Sequence, residues 1–244
     1  HNCCKIINKM KKLILIITIL IPQLTISQVA DYTKDFFIQA IGNVNLYNLK
    51  SYDNTVKGSP YLENDYKSGK IIFENGKQYE AQIRLNVSEQ KFEIRKNNTS
   101  QASAIDIDQS VTVEINGKKY GLHSFSFNSE PNNTIGVLEN VIELEKYSLY
   151  YFPRKKIEMP NQPNVIAPTT GYTKPPSPEW VDSSVFLIFH NNQTYTVPTS
   201  HKKMKDLNLL DEKTYKKYRK ANKLNLKNKG SLKNFVKYLN STNP

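Results

Sequence analysis

The chain has 244 residues, with 34 Lys+Arg against 22 Asp+Glu, a formal charge of +12 and a pI near 9.4. Two Cys are too few for a disulfide-stapled miniprotein, and 38% hydrophobic with 11% aromatic residues is too apolar for a disordered chain. The same composition is too polar for a multi-span helical membrane protein.

Residues 1–9 (HNCCKIINK) precede the first methionine, Met10, a natural start, and read as an upstream segment mistranslated through a gene-calling error. Residues 10–27 have the order of a secretory signal. Lys11 and Lys12 are followed by an apolar run over 13–21, then Pro22, then Thr25 and Ser27 at −3 and −1 of a cut before Gln28. The apolar run falls short of the ~20 residues a spanning helix needs, so cleavage is expected, with no transmembrane span left afterwards. Cys3 and Cys4 both lie ahead of Met10. The mature chain would then hold no thiol for a disulfide, a nucleophile or a Cys-ligated zinc. No Cys follows the apolar run to take a lipid. Export to the periplasm or cell surface of a Gram-negative bacterium is expected.

Residues 28–56 form an N-terminal segment, partly helical over 32–41. Residues 57–157 read as an antiparallel β region. Tyr79, Ala81, Ile83, Leu85 and Val87 alternate with polar residues, a period of two. Asn75-Gly76 and Asn116-Gly117 are hairpin signals between apolar runs. Further strands are expected at Phe92/Ile94, Ile105/Ile107, Val111/Val113/Ile115, Tyr120/Leu122, Phe125/Phe127, 137–144 and 148–152. One apolar and one wet sheet face are expected. Residues 158–180 are a Pro-rich loop or linker closed by Trp180, the only Trp, which reads as a packing plug. Residues 181–198 read as a β hairpin turning at Asn191-Asn192, and 185–189 are apolar on both faces, as in an interior strand.

Residues 199–244 change to helical spacing. Thr199 or Ser200 is expected to cap a helix running through Leu207 and Leu210. Asp211 caps a second through Tyr215, Tyr218 and Ala221. Ser231 caps a third carrying Leu232, Phe235, Val236 and Leu239 on one stripe. The fold class that follows is α+β, an antiparallel β meander or open barrel or sandwich followed by a short basic helical segment.

The charge is not spread evenly. Residues 1–28 carry +4 and residues 201–244 carry 13 Lys+Arg against three acids, or +10, which leaves −2 for the body. A local basic surface is therefore expected, built from Lys213, Lys216, Lys217, Arg219, Lys220 and Lys223. Its candidate partners are an anionic lipid, a polysaccharide or an envelope protein. Export and the near absence of Arg argue against nucleic acid. A plain solvated face of docked helices is the competing reading.

No G-x-S-x-G, P-loop or dinucleotide fingerprint occurs, and no cofactor or metal is expected. His123, His190 and His201 make no ligand-spaced pair. Asp106 and Asp108 alternate on one strand face. With Glu114 and His123 they are the groups an acid/base hydrolase of envelope polymers would have to gather in one cleft.

The stretch Gly58-Ser59-Pro60-Tyr61-Leu62, then Gly69, Asn75-Gly76-Lys77 and Arg84-Leu85-Asn86, resembles a group of uncharacterised exported β-rich proteins common in Bacteroidota. Leu85 stands where the group has an aromatic residue. Residues 207–240 resemble the group's Lys-rich helical ending. The resemblance implies export and a β-then-α layout, and carries no activity. The function expected is non-catalytic binding or scaffolding of an envelope component, with a hydrolase or a structural subunit of an envelope complex as alternatives.

Overall fold

A computed structural model describes residues 46–49, 51–52, 55–127, 133–160 and 177–242. The expected leader (1–9 and 10–27), the helical expectation over 32–41 and most of the Pro-rich stretch lie outside the described residues. The chain divides into two compact units, His1–Val44 and Asn45–Pro244, and everything described belongs to the second.

Thirteen strands are described: β1 Leu46–Tyr47, β2 Lys67–Phe73, β3 Gln78–Asn86, β4 Lys91–Arg95, β5 Ser103–Ile105, β6 Val111–Ile115, β7 Lys118–Phe125, β8 Thr134–Ile142, β9 Ser148–Phe152, β10 Lys155–Glu158, β11 Glu179–Asp182, β12 Val185–His190 and β13 Gln193–Thr196. Three helices follow: α1 His201–Asp206, α2 Glu212–Asn222 and α3 Lys229–Thr242. Eleven strands form one antiparallel sheet in the order β1-β5-β4-β3-β2-β6-β7-β8-β9-β12-β13, and β10 and β11 form a separate ribbon. The class is therefore α+β and β-rich, as the sequence predicts.

The turns carry the chemistry their residues announce. Asn116 and Gly117 both have positive φ, 51° and 73°, and so do Asn191 and Asn192, 48° and 60°. Two consecutive left-handed residues twist a two-residue loop in the same hand as the strands it joins. At Gly76 (φ 80°) the Gly76 N–H donates to the Phe73 carbonyl, which tightens the turn between β2 and β3.

The sheet is strongly curled. Four strand steps separate β4 from β7, roughly 19 Å in a flat sheet at ~4.8 Å per strand. Yet the rings of Phe92 on β4 and Tyr120 on β7 lie 6.1 Å apart. Inside the curl Ile71, Ile83, Phe92, Ile94, Ile105 and Val113 are essentially fully buried. Gln90, at the tip of the β3–β4 hairpin, bridges to the far side. Its Oε1 accepts from the Val137 N–H at 2.8 Å and its Nε2 donates to the Pro153 carbonyl at 3.0 Å. The Gln90 amide thus bridges the Val137 N–H of β8 and the Pro153 carbonyl just past the end of β9.

Over β8, β9 and β12 both faces of the sheet are covered. One side holds Tyr147, Leu149 and Ile188 against the helices. The other holds Phe125, Phe127, Tyr150, Phe152 and Leu187. The expectation of one wet face fails there because the tail folds back onto it. The apolar stripe of α3 (Leu232, Phe235, Val236, Leu239) is 0–1% exposed. Asn240 pins its end: its Oδ1 accepts from the Lys146 and Tyr147 N–H groups at 2.9 and 3.2 Å, and its Nδ2 donates to the Tyr147 carbonyl at 3.1 Å.

Two helix boundaries differ from expectation. Ser200 caps α1 as predicted, but the helix stops at Asp206, and Asn208 then turns left-handed (φ 52°). The cap of α3 is Asn228, whose Oδ1 accepts from the Ser231 N–H at 2.8 Å, rather than Ser231. Asn caps as well as Ser does, and Ser231 instead accepts from the Asn225 N–H at 2.9 Å.

Candidate functional site

The helix α2 begins at Asp211, whose carboxylate accepts from the Thr214 N–H at 3.0 Å. Hydrogen bonding from the Thr214 side chain, and then from its N–H, holds the Asp211 carboxyl below its usual range. Tyr215 and Tyr218 are buried, and they stack against Phe235 of α3. With that stripe fixed inward, Lys213, Lys216, Lys217 and Lys220 fall at i, i+3, i+4 and i+7 on the outer side. Arg219 and Lys223 lie beside them, and all six are exposed over an arc of roughly 160° at ~100° per residue. Lys223 closes the helix in the left-handed region (φ 48°), its N–H donating to the Arg219 carbonyl.

Within this face Glu212 takes one of the six. It accepts from Lys205 Nζ at 2.6 Å and Lys216 Nζ at 2.8 Å, and these two cations hold its carboxyl at about 2. Among the described residues no ion pair reaches Lys213, Lys217, Arg219, Lys220 or Lys223. His201 sits behind the face, its Nδ1 2.7 Å from the Tyr215 hydroxyl. Burial, with the nearby Arg219 charge, pushes its pKa down.

The acid/base candidates do not converge. Asp106 pairs with Lys91 Nζ at 3.0 Å beyond the end of β5. Asp108 accepts from the Ser110 N–H at 2.8 Å and the Ser110 hydroxyl, which lowers its pKa and shapes the turn into β6. Glu114 lies between Lys70 and Lys119 in the strand register. His123 is half-buried against Tyr150, with ring centroids 4.8 Å apart, and this burial lowers its pKa. His190 stacks on Tyr147 at 3.9 Å, and its Nδ1 lies 2.9 Å from the Lys146 carbonyl. Among the described residues no group of three or more His, Cys, Asp or Glu is placed to hold a metal ion. Nor is any helix there long and apolar enough to cross a membrane.

Two constellations come together that the sequence reading did not assemble. The first surrounds the Gly58–Leu62 stretch. Lys57 pairs with Glu179 of the ribbon, and Tyr61 pairs with Asn86 at the end of β3. This clasp is held by Lys155, whose Nζ donates to the Ser59 and Tyr61 carbonyls at 3.0 and 2.5 Å. Trp180 packs edge-on to Tyr52, with centroids 6.4 Å apart, and its Cβ lies 3.4 Å from where a Cβ on Gly58 would stand. Beneath the clasp the Arg84 guanidinium lies 3.6 Å from the Tyr61 ring centroid and 4.4 Å from that of Tyr66. It pairs with buried Glu93 at 2.6 Å, and the Tyr66 hydroxyl donates to the same carboxylate at 3.0 Å. Of the residues that carry the sequence resemblance, the 58–62 stretch and Arg84 and Asn86 thus meet as a packing and ion-pair unit, while Asn75-Gly76-Lys77 form the exposed β2–β3 turn.

The second is a cleft of about 600 Å³. Glu139 on β8 and Tyr151 on β9, cross-strand partners, contribute to it with Lys118 from the start of β7. Glu63 beyond the clasp, Asp182 at the end of β11, Ser184 just before β12, Thr199 after β13, Lys227 between α2 and α3 and Lys229 at the start of α3 complete its polar lining. Glu139 is only 4% exposed and pairs with Lys229 Nζ at 2.5 Å. The signal for Glu139 was present in the sequence, because a carboxylate inside an apolar strand needs a partner. Lys229, ninety residues on, could not be read from local pattern.

Comparison with protein-family models, curated proteins and solved structures finds no match to this chain.

Proposed function

We propose that this is an exported, non-catalytic binding or scaffolding protein of a Gram-negative envelope that holds an anionic component against the outer face of α2. The shared chemistry recognised is clustered phosphate or carboxylate, as on anionic lipid headgroups or acidic polysaccharide. The supporting observation is the six-residue basic arc on a helix whose apolar stripe is already spent in the core. Such a helix has no apolar face left to sink into a bilayer, so its attraction to an anionic surface is electrostatic and salt-sensitive.

Removing the tail is the wrong test. Burying a Leu, Val or Phe side chain contributes ~1.5–3 kcal/mol, so the α3 stripe alone supplies about 6–12 kcal/mol as an upper bound. That is comparable with the whole stability of a domain, ~5–15 kcal/mol. The informative variant changes only exposed charges: K213Q/K217Q/K220Q/K223Q in the full chain. Each Lys near an anionic membrane contributes ~1 kcal/mol, so co-sedimentation with vesicles of mixed phosphatidylglycerol and phosphatidylethanolamine should weaken by more than ~tenfold. Wild-type binding should also fall steeply as salt rises. A soluble acidic polysaccharide competing the vesicles off would assign the polymer as the source of the anion. Unchanged binding by the variant, or binding insensitive to salt, refutes the proposal.

A further inference from the structure

The cleft differs in kind from the α2 face. Its lining brings together three carboxylates, Glu63, Glu139 and Asp182, and three ammonium groups, Lys118, Lys227 and Lys229. The formal charge of that lining is zero, so it attracts neither a polyanion nor a polycation. The signs are sorted by element. Lys227 comes from the α2–α3 connection and Lys229 from the start of α3, while the acids come from the clasp side, β8 and the end of β11.

The pair at its heart is only half closed. Glu139 is buried, whereas the Lys229 side chain remains 38% exposed and lies 5.1 Å above the Tyr151 ring. An ammonium has three donors, and the bond to Glu139 uses one. Asp182 is exposed, and its Oδ1 accepts from the Ser184 N–H at 3.0 Å, so its other oxygen faces no described donor. Phe186, Val185, Val197 and Leu226 supply apolar wall between the charges. A concavity within the ~300–1,000 Å³ range, with apolar walls and a few fixed polar groups, has the general make-up of a small-ligand site.

We propose that this cleft binds a short zwitterionic peptide, its free carboxylate taken by Lys229 and Lys227 and its free amino group by Asp182 and Glu63. A neutral sugar would leave the four charges outside the Glu139–Lys229 pair unanswered, and an ion of one sign would meet as much repulsion as attraction. The apolar wall then receives the peptide's side chains, and Tyr151 offers a flat surface beside the carboxylate end. The site lies apart from the outer face of α2 and does not rest on the function proposed above.

The test uses the full wild-type chain, so that no variant need fold. Trialanine with free ends, the same peptide N-acetylated and C-amidated, and maltotriose are titrated separately while backbone amide resonances are followed by NMR. Free trialanine should give saturating shifts at Tyr151, Ser184 and Leu226. Blocking both ends should weaken binding about tenfold or more, the scale of one partly desolvated charge-assisted contact. D182N and K227Q, both at exposed positions, should each weaken the free peptide several-fold and leave the blocked peptide unchanged. Equal affinity for free and blocked peptide overturns the proposal. So does an equal response to maltotriose, or no shift at roughly 10 mM peptide, ten times the concentration matching ~4 kcal/mol of binding.

Discussion

Glu93→Gln is the substitution in which the architecture makes its sharpest demand. It keeps the shape of the side chain and an oxygen for the Tyr66 hydroxyl, and deletes only the charge. The Arg84 guanidinium is then left between two aromatic rings, its side chain 18% exposed, without its anion. Breaking a buried ion pair from one side costs ~3–5 kcal/mol. Two features offset part of that here: Arg84 keeps a bond from its NH1 to the Asn64 carbonyl at 3.0 Å, and it keeps both ring faces. The expected loss is about 2–3 kcal/mol, read as a lower urea midpoint with an unchanged slope. In a domain of this size that lowers Tm by about 4–12 °C. R84M/E93L removes both charges and should be less destabilised than E93Q, because nothing charged is left without a partner. If E93Q lies within ~0.5 kcal/mol of wild type, as a surface change would, the reasoning about this cluster is wrong. It is equally wrong if the double variant is the weaker of the two.

Asn240→Ala leaves the Lys146 and Tyr147 N–H groups without their side-chain acceptor and should cost about 2 kcal/mol. Hydrogen exchange should rise first at those two amides, and a uniform change across the sheet would contradict the pinning role. Tyr52 and Tyr66 are pushed up from 10.0 to about 12, mainly by burial. The folded state then favours their neutral form. Their stabilisation is intact below pH 10 and is lost as the pH rises from 10 towards 12, when only unfolded tyrosines ionise freely. Phenolate absorbance should therefore lag in the folded protein and appear with unfolding; an early, non-cooperative rise would count against it.

Local pattern made much of this molecule readable. The period-two strands, the Asn-Gly and Asn-Asn turns and the Asp211 cap all stand where the residues place them, because each depends on neighbours a few positions away. Non-local pairing was not readable. Nothing in 106–110 says that the chain passes from near the sheet's end to its middle, or that β12 skips the ribbon to join β9. The six basic residues of α2 do lie on one exposed face, since helical spacing is local. The hydrolase alternative required the acids and His123 to gather in one cleft, but their neighbours across the sheet absorb them separately. Glu93 was hidden by the same logic: alternation puts it on an outer face, and only the clasp, docked from far away in sequence, turns that face into interior. Glu139 announced its need for a partner, but not that the partner is Lys229 of the docked tail.

The helical tail sets an order of completion. Its seat is made of Leu149 and Ile188, which come from strands on either side of the ribbon and the Pro-rich stretch. The stripe that covers them, from Leu232 to Leu239, lies in α3, which follows every described strand in the chain. Until that helix arrives, Leu149, Ile188, Val197 and the aromatic side of β12 present an open apolar surface, a template for association with other chains. A chain without α3 would keep every described strand and still expose that apolar surface. Docking of α3 is thus the step that closes the apolar side of a paired sheet.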